Sequence, residues 1–134
     1  MTVRETCELA KKHAAYPALL TSEEKNEMLA AIADALTDNS SEILSANAKD
    51  IENGKDLPAY LIDRLRLTEE RIAGISEGIK QLIKLDDPVG KVLASWVNHA
   101  GLSIRRISVP LGVIGIIYEA RPNVTCDVTA LCIK

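Results

Sequence analysis

Aromatic side chains are nearly missing from this chain: there is no Phe, one Trp and three Tyr, together 3% of 134 residues. Proteins that hold single-stranded nucleic acid stack bases on aromatic platforms, so this scarcity argues against that class. A net charge of −3 with interspersed signs supplies no basic face either. Cysteine is also sparse. Cys7, Cys126 and Cys132 form no C-x-x-C pair and make an odd number, which speaks against a disulfide framework and a zinc site. His13 and His99 lie in separate segments with no nucleophile motif beside them and read as surface residues, so no self-contained catalytic triad is visible. No apolar run approaches the roughly 18 residues of a membrane span, and the pattern of a signal peptide is lacking. The expectation is a cytoplasmic protein with no nucleic acid, membrane or metal partner.

Hydrophobic residues make up 47% of the sequence, enough for a core. Residues 2–85 read as helices with clear starts. Thr2 with Glu5, and Thr21 with Glu24, have the capping-box spacing, in which each side chain satisfies the other residue's free N–H. Across 22–38, Met28, Leu29, Ile32, Ala35 and Leu36 form one apolar stripe. A further helix starts near Ser41, carries Ile43, Leu44, Ala48 and Ile51, and is expected to end with Gly54 as a C′ residue. Pro58 suits the first turn of a short helix bearing Leu61, Ile62 and Leu65. Thr68 then caps a longer one whose stripe is Ile72, Ile75, Ile79, Leu82 and Ile83, with Glu69 and Glu70 at its start and Lys80 and Lys84 near its end.

Asp86-Asp87-Pro88 breaks that helix, and Gly90 turns the chain into a different texture. Residues 91–109 read as two strands joined by a Gly-containing loop at Asn98–Gly101. Arg105 and Arg106 sit side by side on the second strand and point to opposite faces, so they form no basic patch; one facing solvent and one paired is the expectation.

The last segment carries the chemistry. Pro110 can only enter a strand at its edge or first residue. Val113 to Tyr118 is apolar except for Gly115 and rich in β-branched residues, the texture of a strand buried on both faces of a parallel sheet. A polar turn follows, Glu119-Ala-Arg-Pro-Asn123, and then a helix whose start Asn123 can cap and whose dipole favours Asp127. Ligands in open α/β sheets bind at this carboxyl edge of the strands. Arg121 could grip an anion through its planar fork, or simply pair with Glu119 or another carboxylate; Asn123 could be only a cap. Gly112 and Gly115 precede the turn rather than occupy it, so they are no dinucleotide fingerprint. Cys126, in the first helical turn, is the one cysteine with a helix-terminus argument for reactivity.

These residues resemble a known family. Val109-Pro-Leu-Gly-Val-Ile-Gly-Ile-Ile-Tyr-Glu-Ala-Arg-Pro-Asn-Val-Thr125 is similar to the proline-led strand and acidic Arg-Pro-Asn-Val turn of the γ-glutamyl phosphate reductases, or glutamate-5-semialdehyde dehydrogenases, within the aldehyde dehydrogenase superfamily. Supporting matches are Thr21-Ser-Glu-Glu-Lys-Asn, Ala46-Asn-Ala-Lys-Asp, Leu65-Arg-Leu-Thr-Glu-Glu-Arg-Ile and Asp87-Pro-Val-Gly. The resemblance implies an α/β fold: residues 1–85 as the N-terminal helical part of the cofactor-binding domain, 86–109 as an oligomerisation hairpin, and 110–134 as the first βα unit of a Rossmann-like sheet. The chain is expected to be an N-terminal fragment, truncated before the sheet closes and before the catalytic domain, and inactive alone.

The implied reaction is NADPH-dependent reduction of L-glutamyl 5-phosphate to glutamate 5-semialdehyde in proline biosynthesis. A cysteine thiolate outside this chain would displace phosphate to give a thioester. The resemblance further implies Asn123 as an oxyanion donor, Arg121 and Glu119 at the substrate, a homo-oligomer, and glutamate 5-kinase as a candidate partner. Two alternatives stay open: a non-catalytic helical interaction or oligomerisation module, and another acyl-phosphate or CoA-linked aldehyde dehydrogenase. Ordinary aldehyde dehydrogenases carry an apolar Pro-Trp-Asn-Phe-Pro-like turn where this chain has Glu119-Ala-Arg-Pro-Asn123, which favours glutamyl phosphate.

Overall fold

The computed structural model describes residues 1–119 and 121–134. Among them are six α-helices and one antiparallel hairpin, in the order α1 (Val3–His13), α2 (Ser22–Asp38), α3 (Ser40–Asn53), α4 (Ala59–Leu65), α5 (Glu69–Ile83), β1 (Val92–Val97), β2 (Ser103–Ile107) and α6 (Asn123–Ile133). A 3₁₀ turn at Pro17–Leu19 links the first two helices. Both capping boxes form as the spacing predicts: the Thr21 hydroxyl accepts from Glu24 N at 3.2 Å, and the Glu24 carboxylate accepts from Thr21 N at 2.8 Å. Thr68 caps α5 through Arg71 N, and the exposed Glu70 carboxyl is held below its usual range by its own backbone N–H and the Thr68 hydroxyl.

The core is thin and helical. Leu29 and Ala33 of α2, Ile79 of α5 and Ala130 of α6 are buried against one another, flanked by Ile32, Leu36, Ile75 and Leu82. α2 packs along α5, and α6 lies across both. The stripe on α2 is rotated from the sequence expectation. Met28 and Ala35 are exposed, and the buried line runs Lys25, Leu29, Ala33, an i, i+4, i+8 ladder with a charged residue at its end. Sequence apolarity could not place Lys25 there, because its burial depends on Asp87, far along the chain. On α3, Ala48 is likewise exposed, and the buried position is Asn47.

Gly54 differs from its expected role. It is the C-cap residue itself, with φ −96°, so no left-handed conformation requires glycine there. What disfavours a side chain is crowding: a Cβ would sit 3.1 Å from Leu57 Cδ1 and 3.2 Å from the Asp50 carbonyl, close enough that these neighbours would have to give way slightly. Gly90 and Gly101 do adopt positive φ, at 77° and 80°, where the chain turns into β1 and out of the hairpin loop. That loop is organised by Asn98, whose side-chain oxygen accepts from Ala100 N at 3.0 Å and Leu102 N at 2.9 Å. Trp96 pairs with Ile104 and Ser95 with Arg105, and the extra residue Leu93 makes a bulge between Val92 and Ala94. Arg105 and Arg106 are both exposed, and neither forms an ion pair among the described residues. The expected paired arginine is not found, because the two-stranded sheet has no layer over either face.

The strand expected at Val113–Tyr118 does not form. Among the described residues no strand pairs with it, Ile117 is fully exposed, and Leu111, Val113 and Ile114 are exposed as well. A strand buried on both faces needs ladder neighbours and covering layers, and none is found among the described residues. The helix after it is present as α6.

Candidate functional site

α4, the loop into α5, and the N-terminal turn of α6 enclose a cleft of about 450 Å³. From one side come Asp63, Arg64, Arg66 and Arg71; from the other come Arg121, Asn123 and Asp127. Two sequence-predicted residues, Arg121 and Asn123, therefore meet at one site. Glu119 is exposed and does not line it, and no ion pair joins Glu119 to Arg121 among the described residues. Ala120, in the middle of the same turn, lies outside the described residues.

Asn123 is not the helix cap. α6 begins at Asn123 itself, Pro122 is the capping position, and no side chain caps there. Pro122 has helical backbone angles, φ −62° and ψ −27°, which pulls the helix start one residue forward of the expected cap. The Asn123 amide donates instead to Asp127 Oδ2, one turn on, at 2.9 Å. Because the ionised Asp127 only accepts, this contact directs the Asn123 nitrogen to that side and leaves a second N–H for another acceptor. Tyr118 and Thr125 join their hydroxyls across the turn.

The opposite wall is braced from two directions. Asn47, buried in α3, donates to the Leu65 carbonyl at 2.9 Å and accepts from Leu67 N at 2.8 Å. Arg71 donates to the carbonyls of Asp63 and Arg66, both at 2.6 Å, and to Asp63 Oδ1 at 2.9 Å. Arg64 lies over the Tyr60 ring, 5.8 Å from its centroid, a cation–π arrangement. None of these braces was expected. Their signals were present: three arginines fall at 64, 66 and 71, and Asn47 stands on the same face as Ile43 and Ile51, where an apolar residue was due.

Cys126 lacks the electrostatics of a nucleophile. Burial raises its thiol pKa, and the neighbouring Asp127 charge raises it further. Cys7 and Cys132 are exposed. No group of three or more His, Cys, Asp or Glu residues that could hold a metal occurs among the described residues.

A second hollow, about 640 Å³, is apolar. It runs from α1 past the Ser108–Ile116 segment to α6, with Lys25 at its floor.

The γ-glutamyl phosphate reductase 2 of Bacillus licheniformis is 52% identical over 134 residues, covering 98% of this chain and 32% of that protein. The γ-glutamyl phosphate reductase of Lactiplantibacillus plantarum is 53% identical over 116 residues, 87% of this chain and 28% of that protein. Over the stretch they share, about half of this chain's residues are identical to those of proteins named γ-glutamyl phosphate reductase. It spans about a third of the length of the curated relatives it matches. The crystal structure of a γ-glutamyl phosphate reductase from Thermotoga maritima superposes with a TM-score of 0.92 at 40% identity, over 96% of this chain and 32% of that one. One from Saccharomyces cerevisiae gives 0.91 at 32% identity, over 99% and 35%. No protein-family model matches the chain.

Proposed function

We propose that this chain forms part of an NADPH-dependent γ-glutamyl phosphate reductase acting in the cytoplasm on L-glutamyl 5-phosphate. The observation that carries this reading is the convergence of Arg121 and Asn123 on one cleft at the start of α6. Arg121 offers a bidentate fork to the phosphoryl group, and Glu119, in the same turn but outside the cleft lining, would be the carboxylate for the substrate's ammonium. When a thiolate supplied by the rest of the enzyme attacks the acyl carbon, negative charge gathers on the carbonyl oxygen and then expels phosphate. The second N–H of Asn123, with Asp127 fixing the first, would donate to that oxygen.

The described residues do not fit a dinucleotide cradle. The turn into α6 contains no glycine, and Gly112 and Gly115 lie before it on the unpaired segment. NADPH is retained as the reductant on family grounds, and no residue here is assigned to it.

The same reading takes residues 1–85 as the helical flank of the cofactor-binding domain, 86–109 as an oligomerisation hairpin and 110–134 as the first βα unit. Support comes from the superposition on solved reductases through this segment, and from the apolar texture of Val113–Tyr118. The hairpin's Leu93, Trp96 and Val97 are exposed and its outer strand edges unpaired, which suits pairing with a second copy.

The test is a chimera in which this chain replaces the matching third of the Bacillus licheniformis reductase. Arg121→Ala is expected to raise KM for the acyl phosphate. Asn123→Ala is expected to lower kcat about 100-fold, the effect of losing one oxyanion donor. An unchanged KM in Arg121→Ala would remove Arg121 from the substrate, and an unchanged kcat in Asn123→Ala would reduce Asn123 to a structural role.

A further inference from the structure

Four arginines border the cleft, and only one is fully engaged. Arg71 holds Asp63 and the Arg66 carbonyl and has become part of the wall. Both carboxylates at the cleft are also occupied, Asp63 by Arg71 and Asp127 by Asn123. Arg64, Arg66 and Arg121 form no ion pair among the described residues. The cleft lining therefore carries four guanidinium groups against two carboxylates, Asp63 paired with Arg71 and Asp127 held only by a neutral amide, and keeps an excess of positive charge.

Arg66 stands out among them for how its backbone is held. Its own N–H donates to the Ile62 carbonyl at 2.9 Å, and its carbonyl accepts from Arg71 at 2.6 Å. On either side, Asn47 grips the Leu65 carbonyl and the Leu67 N–H. Every peptide group around residue 66 is fixed by a polar partner, one of them buried, while the side chain it presents to the cleft has no hydrogen-bond partner among the described residues. Fixing the backbone in advance lowers the ordering cost of binding and is what a recognition residue on a loop requires.

We propose that Arg66, seconded by Arg64, is a phosphoryl-binding residue facing Arg121 across the cleft. This rests on the proposed reading for the chemical source of the phosphoryl group, but the binding itself does not. A dianionic phosphoryl group has three acceptor oxygens and can take forks from two walls at once, which a single carboxylate cannot do equally well. The source is the acyl phosphate, or else the 2′-phosphate of the nicotinamide cofactor; both present the same chemistry to guanidinium.

The first measurement uses the 134-residue chain and inorganic phosphate, with ionic strength held constant by chloride, and follows the arginine side-chain N–H signals by NMR. Saturable shifts at Arg66 and Arg121 are expected, weakened about tenfold in Arg66→Gln and partly restored in Arg66→Lys, while L-glutamate at equal concentration causes none. Arg64→Gln is expected to weaken binding less. Retained helix content in each variant separates lost binding from lost fold. Phosphate shifts that are absent, or the same in Arg66→Gln as in the native chain, overturn the proposal, as does an equal response to L-glutamate.

The second measurement uses the chimeric reductase. A rise in KM for the acyl phosphate alone in Arg66→Gln assigns the site to substrate; a rise in KM for NADPH alone assigns it to the cofactor phosphate. No change in either overturns the proposal even where Arg121→Ala behaves as expected. A chimera with no reductase activity defeats the functional reading and leaves the phosphate measurement to decide Arg66.

Discussion

Lys25 lies on the same stripe of α2 as Leu29 and Ala33, and its ammonium is 2.7 Å from Asp87 Oδ2, the two side chains being 5% and 12% exposed. Burial pushes the Asp87 carboxyl up, but hydrogen bonds from Lys25 and Val89 N, the Lys25 charge and the Ser22 hydroxyl outweigh it and hold the group below its usual range. A carboxyl held lower in the folded than in the unfolded chain binds fewer protons when folded. Its stabilisation is present above the ordinary Asp value, about 4, and is lost as pH falls through the lowered folded value. The melting temperature is therefore expected to drop on acidification below about pH 4, and to drop less in Asp87→Asn; an identical acid limb in that variant would show the pair to be inert. Lys25→Met removes one partner of a buried pair and is expected to cost about 3 kcal/mol in denaturant unfolding. Cys126 offers a kinetic contrast. With its thiol pushed up by burial and by Asp127, it should alkylate more slowly with iodoacetamide than exposed Cys7, as read by peptide mass spectrometry. Faster labelling of Cys126 would reopen its candidacy as a nucleophile.

At the scale of elements, the braces around the α4–α5 loop matter more than the helices' own propensities. Asn47 satisfies two backbone groups at once, so Asn47→Ala would strand the Leu67 N–H and the Leu65 carbonyl and is expected to cost about 2 kcal/mol. Hydrogen exchange at Leu67 should accelerate in that variant while the α2–α5 core stays protected; unchanged exchange would show that Arg71 alone holds the loop. The contrast with the capping boxes explains what could be read in advance. Thr21 and Glu24 are three residues apart and answer each other locally, so α2 starts where the sequence places it. Asn47 and Leu67 are twenty apart, and Lys25 and Asp87 further still, so their pairing depends on how α2, α3, α4 and α5 assemble. Of the cleft, Arg121 and Asn123 were legible because they share one short turn. Arg64, Arg66 and Arg71 were not, because an arginine on a helix face or in a short loop usually means solvent, and nothing local says that three of them line the cleft opposite the start of α6.

The whole molecule exposes 9933 Å² of accessible surface, where a closed monomer of its mass would expose about 6,900 Å². Exposed apolar side chains contribute to it: Leu111, Val113, Ile114, Ile117 and Tyr118 on the unpaired segment and Leu131 of α6, of which Leu111, Val113, Ile114 and Leu131 line the apolar hollow. This is the texture that suggested a buried strand, and the folding of the helical part does not satisfy it. Val113–Tyr118 was legible as a segment that wants a sheet, but among the described residues no strand pairs with it, so its apolar groups and open backbone edges remain available to a partner. So many large apolar side chains left open to solvent favour association, and the isolated chain is expected to self-associate. Ile117 tests the cause, because it is fully exposed and contributes nothing to the α2–α5–α6 core. Ile117→Lys should shift the sedimentation profile toward monomer and lower the binding of a hydrophobic dye, with the helical unfolding transition unchanged. If the substitution left association intact, the open faces of the β1–β2 hairpin, with Trp96 and Val97 exposed, would be the adhesive surface instead, and Trp96→Lys would be the variant that restores the monomer.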